Sequence, residues 1–176
     1  ACGGVVREKL IHFASRDAMD IEGLGPAVVD SLLAYRLVAD AADFYALKED
    51  DLRQIERMGE KSAANLITAI RASKEQGLAK LLFGLGIRFL GEKGSELAAH
   101  YFHTIDAIMA ADVETIEETE GIGKITAKSL YDYFHDEKNI EMINKLKNAG
   151  VLMEEIKGES ESGMFSGESV VLTGKL

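Results

Sequence analysis

Apolar residues recur three or four positions apart along most of this 176-residue chain, which is the spacing of amphipathic helices. The segment 60–70 shows the pattern most clearly. Its apolar positions include Ala63, Leu66, Ile67 and Ile70. Residues that favour helices are frequent, and Pro26 is the single proline. The pattern therefore predicts an all-α body built from short helices.

Four stretches of the chain align on one glycine and define an internal repeat of 32–34 residues. They are "IEGLGPAVVDSL" from Ile21, "IERMGEKSAANL" from Ile55, "IRFLGEKGSELA" from Ile87 and "TEGIGKITAKSL" from Thr119. The aligned glycines are Gly25, Gly59, Gly91 and Gly123, and each follows an apolar residue. Each repeat predicts a helix, a tight glycine turn and a second helix.

Glycine suits such a turn where φ is positive or where a Cβ would not fit, and it also lets the backbone come close to another group. Immediately after the turn, the first N–H groups of the second helix lack intrahelical partners and lie at the positive end of its dipole. They can therefore bind a phosphate oxygen. The glycines expected to approach phosphate are Gly23, Gly25, Gly59, Gly91, Gly121 and Gly123.

Basic residues flank the second, third and fourth turns but not the first. They are Arg57, Lys61, Arg88, Lys93, Lys124 and Lys128. The first turn has Asp20, Glu22 and Pro26 instead. We therefore expect the three later turns to bind phosphate and the first to be mainly structural, so that a change at Gly25 harms folding more than binding.

Glycine turns can also do no more than join antiparallel helices, which would make the chain a helical protein–protein scaffold. The repeat length suits tetratricopeptide and ankyrin arrays too, but their signature residues are missing. Four copies, three of them with flanking basic residues, favour phosphate binding over the scaffold. A formal net charge of −10 means that any DNA-binding face must be a local basic surface on an acidic protein.

The repeats resemble the helix-hairpin-helix motif, and longer phrases resemble the C-terminal region of bacterial NAD-dependent DNA ligases. The phrases are "CGGVVREKLIHFASRDAMDIEGLG" at 2–25, "IERMGEKSAANL" at 55–66 and "LLFGLGIRFLGE" at 81–92. The resemblance implies the end of a four-cysteine zinc finger, four helix-hairpin-helix motifs and the start of a BRCT domain. In this order Cys2 is the last zinc ligand.

The implied division has four parts. Residues 1–15 end the zinc-finger region with a linking helix, 16–150 form the helix-hairpin-helix domain, 151–164 form an acidic solvated linker and 165–176 begin the BRCT domain. The Val-Val-Leu-Thr run in the last part independently predicts a short β-type tail. Within the helical domain we expect two pseudo-symmetric pairs, repeat one with two and repeat three with four.

The resemblance also implies a function. The chain would be a monomeric module that binds nicked duplex DNA from the minor groove without reading its sequence, in the cytoplasm and not at a membrane. It would act with the other domains of a ligase that uses NAD, magnesium and zinc in DNA replication and repair. The adenylation motif Lys-x-Asp-Gly is absent, and the nearest phrase is "KEDD" at 48–51. We therefore expect this segment alone to hold no cofactor and to catalyse no reaction.

Two other clusters have ordinary explanations. His100 and His103 are three residues apart and can share a helix face, but no further ligand stands at a useful spacing, so a polar surface is favoured over a metal site. Tyr131, Tyr133 and Phe134 could stack on bases, but packing in the core is favoured.

Overall fold

The computed structural model describes residues 3–56 and 58–156, which form an all-α domain as predicted. Within these residues lie ten α-helices and one 3₁₀ helix. They are α1 (Gly3–Ala14), α2 (Pro26–Ala34), the 3₁₀ helix (Ala41–Ala46), α3 (Glu49–Arg53), α4 (Glu60–Ser73), α5 (Leu78–Gly84), α6 (Glu92–Phe102), α7 (Ile105–Ala110), α8 (Val113–Glu117), α9 (Lys124–Phe134) and α10 (Glu137–Asn148). No helix in this part of the chain combines the length and apolar character that crossing a bilayer requires.

Several sequence predictions fall outside the described residues. They concern Cys2, Arg57, the linker from 157 onward and the β-type tail at 165–176.

The four predicted glycine turns are present, and we name them by the helices that follow. Hairpin 1 precedes α2, hairpin 2 joins α3 to α4, hairpin 3 joins α5 to α6, and hairpin 4 joins α8 to α9. The first helix of hairpin 1 is shortened to a turn, in which the N–H groups of Ala18 and Asp20 donate to the carbonyl of Ser15. Hairpins 2, 3 and 4 therefore have the predicted order of helix, glycine turn and second helix, and in hairpin 1 a single turn replaces the first helix.

The hairpins pack in two pairs, as the repeat predicts. The turn of hairpin 1 lies on α4, where a Cβ on Gly23 would be 3.6 Å from Cδ1 of Leu66. The turn of hairpin 4 lies on α6, where a Cβ on Gly121 would meet Leu97. In return, the hydroxyl of Thr126 in α9 donates to the carbonyl of Phe89 in hairpin 3 at 3.3 Å. In the second pair, therefore, each turn contacts the second helix of its partner.

One hydrophobic core joins the two pairs. Leu10 and Phe13 of α1 are buried, and the ring of Phe13 lies 6.1 Å from that of Phe44 between centroids. Leu81 and Leu82 of α5 are fully buried in the same cluster. Because α1 and α5 contribute to this shared interior, the hairpin pairs are parts of one folding unit rather than separate modules.

The segment 151–156, which we call the C-terminal strap, lies at the start of the predicted linker and packs against the helical body. Val151 and Met153 are buried, and the strap forms backbone hydrogen bonds with two regions of the helical body. The N–H of Leu152 donates to Lys74 at 2.8 Å, and the N–H of Ile105 donates to Met153 at 3.0 Å. The three apolar residues Val151, Leu152 and Met153 begin this extended segment, and burial of Val151 and Met153 together with the backbone hydrogen bonds holds it on the helical body.

Candidate nucleic-acid interface

The four aligned glycines share one backbone conformation. Each is the N-cap of the helix that follows, with φ of −86° at Gly25, −80° at Gly59, −88° at Gly91 and −86° at Gly123, and with ψ close to 180°. This is extended backbone that any residue can adopt. A Cβ built on any of the four would meet nothing within 4 Å. The expectation that they serve a positive φ or an internally crowded position is therefore wrong.

What glycine provides at these positions is clearance toward the outside. Each faces open space at the entrance of a helix, and no side chain of its own covers the backbone there. A group from another molecule can therefore approach the first turn without meeting a Cβ.

The helix starts after the hairpins also lack the side-chain caps found elsewhere. Thr104, Asp112 and Asp136 accept hydrogen bonds from the first turns of α7, α8 and α10. The glycine N-caps of α2, α4, α6 and α9 provide no such bond. The first intrahelical bond of α9 runs from Ala127 to the carbonyl of Gly123, so the preceding N–H groups have no helical partner. These helix ends have donors available for an anion.

Positive φ does occur in the hairpins, but two residues earlier. Gly23 has a φ of +93° and Gly121 a φ of +90°. The corresponding residue of hairpin 3 is Phe89, with a φ of +67°. The conformational reason for glycine thus applies to Gly23 and Gly121, whereas Gly25 and Gly123 leave space outside.

Four predicted basic residues lie exposed around hairpins 2, 3 and 4. They are Lys61, Arg88, Lys93 and Lys124. None of them forms an ion pair with another residue of the described ranges. Lys128 differs, because its Nζ lies 2.9 Å from Oδ2 of Asp132 one turn further along α9. No carboxylate of the described residues therefore neutralises the positive charge of these four side chains.

The sequence interpretation missed the charge of the first helical residue. Glu60 begins α4 and Glu92 begins α6, whereas Lys124 begins α9. Each glutamate pairs with a base of the preceding helix, Glu60 with Arg53 at 3.5 Å and Glu92 with Lys80 at 3.8 Å. The signal was available in the residue after each aligned glycine. Because Lys124 is the only basic residue to begin the second helix of a described hairpin, the helix start in hairpin 4 is the most favourable of the four for a phosphate.

Hairpin 1 differs from the others in donors as well as in charge. Pro26 begins α2 and has no N–H group, so one of the donors present in the other hairpins is missing. Its glycines nevertheless have the same geometry as those of hairpin 4. Hairpin 1 therefore has the same backbone geometry with fewer donors and no basic residue at the helix start.

The two histidines considered as metal ligands bind a carboxylate of the strap instead. Nδ1 of His100 lies 3.2 Å from Oε2 of Glu155, and Nδ1 of His103 lies 3.1 Å from Oε1. In the ranges that the structure describes, no three His, Cys, Asp or Glu side chains are grouped suitably for a metal. The pair thus connects the end of α6 to the strap.

The aromatic cluster on α9 packs mainly within the protein. Phe134 is buried, and burial raises the pKa of the half-buried Tyr133 above its usual value. Tyr131 stacks on His135 with ring centroids 3.9 Å apart. The structure therefore agrees with packing for Tyr133 and Phe134.

Family models match the two halves of the chain separately. Residues 15–72 match a SAM-like helix-hairpin-helix tandem, and residues 80–143 match a helix-hairpin-helix motif. The first match contains hairpins 1 and 2, and the second contains hairpins 3 and 4. The division agrees with the pairing observed in the fold.

Similar proteins align with the whole chain. It is 47% identical over 175 residues to a protein named DNA ligase from Thermoanaerobacter pseudethanolicus, and this alignment covers 99% of the chain. It is 43% identical over 178 residues to one from Clostridioides difficile, covering 100% of the chain. A third, from Shouchella clausii, is 46% identical over 180 residues, covering 99%. The chain spans 26–27% of the length of these relatives.

Proposed function

Because its two halves are helix-hairpin-helix domains and its whole length aligns with a segment of proteins named DNA ligase, we propose that this chain is the DNA-binding module of a DNA ligase. It binds the phosphate backbone from the minor-groove side. The observation that carries the proposal is the shared geometry of the four glycine N-caps, which leave the helix starts accessible from outside.

Binding combines two contributions at each of hairpins 2, 3 and 4. The free N–H groups of the first helical turn donate to phosphate oxygens, and the neighbouring lysine or arginine supplies positive charge. Lys61, Lys93 and Lys124 have this role in hairpins 2, 3 and 4, with Arg88 beside hairpin 3. Phosphates carry no sequence information and the minor groove offers a degenerate code, so the module binds all sequences similarly.

In the whole protein, this module holds nicked duplex DNA while a separate adenylation domain seals the nick with NAD and a divalent metal. We place this activity in DNA replication and repair, in the cytoplasm, with the module acting as a monomer. The contribution of the present residues is to bind and orient the duplex. Zinc in that protein requires four ligands, of which the resemblance assigns Cys2 as one.

The test is a salt titration of DNA binding. Fluorescence anisotropy with a labelled nicked duplex should show binding at low salt. The logarithm of the binding constant should then fall linearly with the logarithm of the salt concentration. Lys124→Ala should reduce the magnitude of that slope by about one, because one phosphate contact is lost. Lys147→Ala is the matched control, since Lys147 already pairs with Asp106 away from the hairpins.

Two results would contradict the proposal. One is the absence of DNA binding at low salt by the folded chain, which would favour the helical protein–protein scaffold. The other is an equal effect of Lys124→Ala and Lys147→Ala, which would show that the charge at hairpin 4 has no particular contact with phosphate.

A further inference from the structure

Phe89 occupies an unusual conformation at the tip of hairpin 3. Its φ of +67° lies in the left-handed region, which large side chains rarely adopt. Gly23 and Gly121 occupy the corresponding positions of hairpins 1 and 4 with φ of +93° and +90°. Glycine would adopt this conformation without strain, but hairpin 3 has a phenylalanine here.

Packing within the protein does not explain this phenylalanine. Its side chain is 60% exposed, so it contributes little to the hydrophobic core. Ile125, at the start of α9, is 67% exposed. These two are the most exposed large apolar side chains among the described residues. A strained and exposed aromatic residue points to a role outside the folded chain.

Hydrogen bonds place the backbone of Phe89 against the segment of α9 that carries Ile125. The hydroxyl of Thr126, the neighbour of Ile125, donates to the carbonyl of Phe89 at 3.3 Å. The hydroxyl of Ser129 donates to the carbonyl of Arg88. Both donors lie on α9, so the tip of hairpin 3 is held against the second helix of hairpin 4.

Basic residues directly precede both members of this apolar pair, Arg88 before Phe89 and Lys124 before Ile125. The guanidinium carbon of Arg88 lies 5.1 Å from the centroid of the Phe89 ring, within the range of a cation–π contact. Lys93 and Lys124 are exposed in the first turns of α6 and α9. An apolar surface bordered by free cations fits the minor groove, where apolar sugar faces and base edges lie between two lines of phosphate.

We propose that Phe89, assisted by Ile125, enters the minor groove and makes an apolar contact with deoxyribose and base edges between the phosphates bound by hairpins 3 and 4. This inference rests on the proposed function. The cation of Arg88 stacks on the ring and contacts the backbone, while the hydrogen bonds from Thr126 and Ser129 hold the tip in position. The contact adds affinity that does not depend on counterion release.

The experiment compares Phe89→Gly and Phe89→Asn with the unaltered chain. Glycine and asparagine both tolerate the left-handed conformation, so the thermal midpoint should not fall. DNA affinity at fixed salt should fall by about five- to tenfold, at the lower end of the effect of losing one aromatic contact with nucleic acid. The slope of log K against log salt should stay unchanged, because no phosphate contact is removed.

Tyr101→Ala is the matched control. Tyr101 is also an exposed aromatic residue, but it lies in the last turn of α6, away from the glycine that starts this helix. Its removal should leave DNA affinity unchanged. Ile125→Ala should weaken binding in the same salt-independent way, by about two- to threefold.

The outcomes separate this inference from the proposed function. If the unaltered chain binds DNA and the Phe89 variants bind equally well, the inference is overturned and the proposed function stands. A reduced salt slope in Phe89→Gly also overturns it, since the loss would then come from displaced phosphate contacts. If the unaltered chain does not bind DNA at low salt, the proposed function itself fails.

Discussion

A Cβ on Gly121 would lie 2.5 Å from Cδ1 of Leu97, so the turn of hairpin 4 rests directly on α6. Gly121 also has a φ of +90°. Gly123, two residues later, has extended backbone and nothing within 4 Å of a built Cβ. The two glycines of the Gly-Ile-Gly turn therefore have different purposes, the first in packing and the second in access from outside.

We expect Gly121→Ala and Gly123→Ala to separate stability from binding. Gly121→Ala introduces backbone strain and a contact with Leu97, and should lower the free energy of unfolding by about 2 kcal/mol. Gly123→Ala should lower it by less than about 1 kcal/mol, since alanine is a poorer N-cap than glycine but reduces the conformational entropy of the unfolded chain. Urea denaturation measures both values.

The effects of the two substitutions on DNA affinity should have the opposite order, with Gly123→Ala the more harmful. Gly123→Ala places a methyl group where we propose that phosphate approaches, and should weaken binding by about tenfold even though the protein stays folded. If Gly123→Ala binds DNA as well as the unaltered chain, the glycine N-caps do not contact the backbone.

Gly25→Ala should leave the fold largely intact, which reverses the sequence-based expectation. Gly25 has a φ of −86°, and a Cβ there meets nothing within 4 Å. Its effect on DNA affinity should be smaller than that of Gly123→Ala, because Pro26 removes one donor and no basic residue starts α2. Thermal unfolding and anisotropy measured together test both statements. A loss of affinity as large as that of Gly123→Ala would show that all four hairpins bind equally.

Glu92→Gln should strengthen DNA binding. Its carboxylate stands at the first position of α6, where it competes with a phosphate for the positive helix end. Removing the charge should raise affinity by about two- to threefold at low salt, while the helix loses up to about 0.5 kcal/mol of stabilisation. Glu96→Gln, one turn further along the same exposed helix face, is the control for net charge. An equal gain in both variants would attribute the effect to overall charge rather than to the helix start.

Asp112 should make the stability of hairpin 4 depend on pH. Its side chain accepts a hydrogen bond from Thr115 N–H at 2.8 Å, and hydrogen bonding with Thr115 holds the pKa of the carboxyl below its usual value. A lowered folded-state pKa means that this stabilisation is complete above the unfolded pKa of about 4 and is lost as pH falls through the folded value. Asp112→Asn keeps a capping oxygen that does not titrate. Thermal midpoints between pH 3 and 7 should therefore converge for the two proteins as pH falls, and parallel curves would contradict this account.

Gly77→Ala should loosen the C-terminal strap. Gly77 has a φ of +97°, and a Cβ there would lie 2.7 Å from Cγ1 of Ile156. Gly150→Ala is the matched control, because its φ is +91° but a Cβ meets nothing within 4 Å. Both should cost about 1 kcal/mol in strain, and Gly77→Ala should cost about 1 kcal/mol more for the contact. Hydrogen exchange at the N–H of Leu152 and Glu155 should quicken only in Gly77→Ala.

The sequence alone determined the elements that depend on local chemistry. The three- and four-residue spacing of apolar positions predicted the helices, and the repeat of the aligned glycines located the four hairpins and their pairing. The flanking Lys61, Lys93 and Lys124 were identified in the same way, because neighbours in sequence remain neighbours at a helix start. These features require no knowledge of the rest of the chain.

Tertiary structure decided the role of each glycine and of the exposed side chains. Gly121 is crowded because Leu97 of another helix lies beneath it, and Gly77 is crowded because the strap returns to it through Ile156. Phe89 is exposed because Thr126 and Ser129, 37 and 41 residues from their acceptors, hold its backbone at the surface. Cβ clearance and side-chain exposure depend on atoms contributed by distant segments, so their values exist only once the chain has folded.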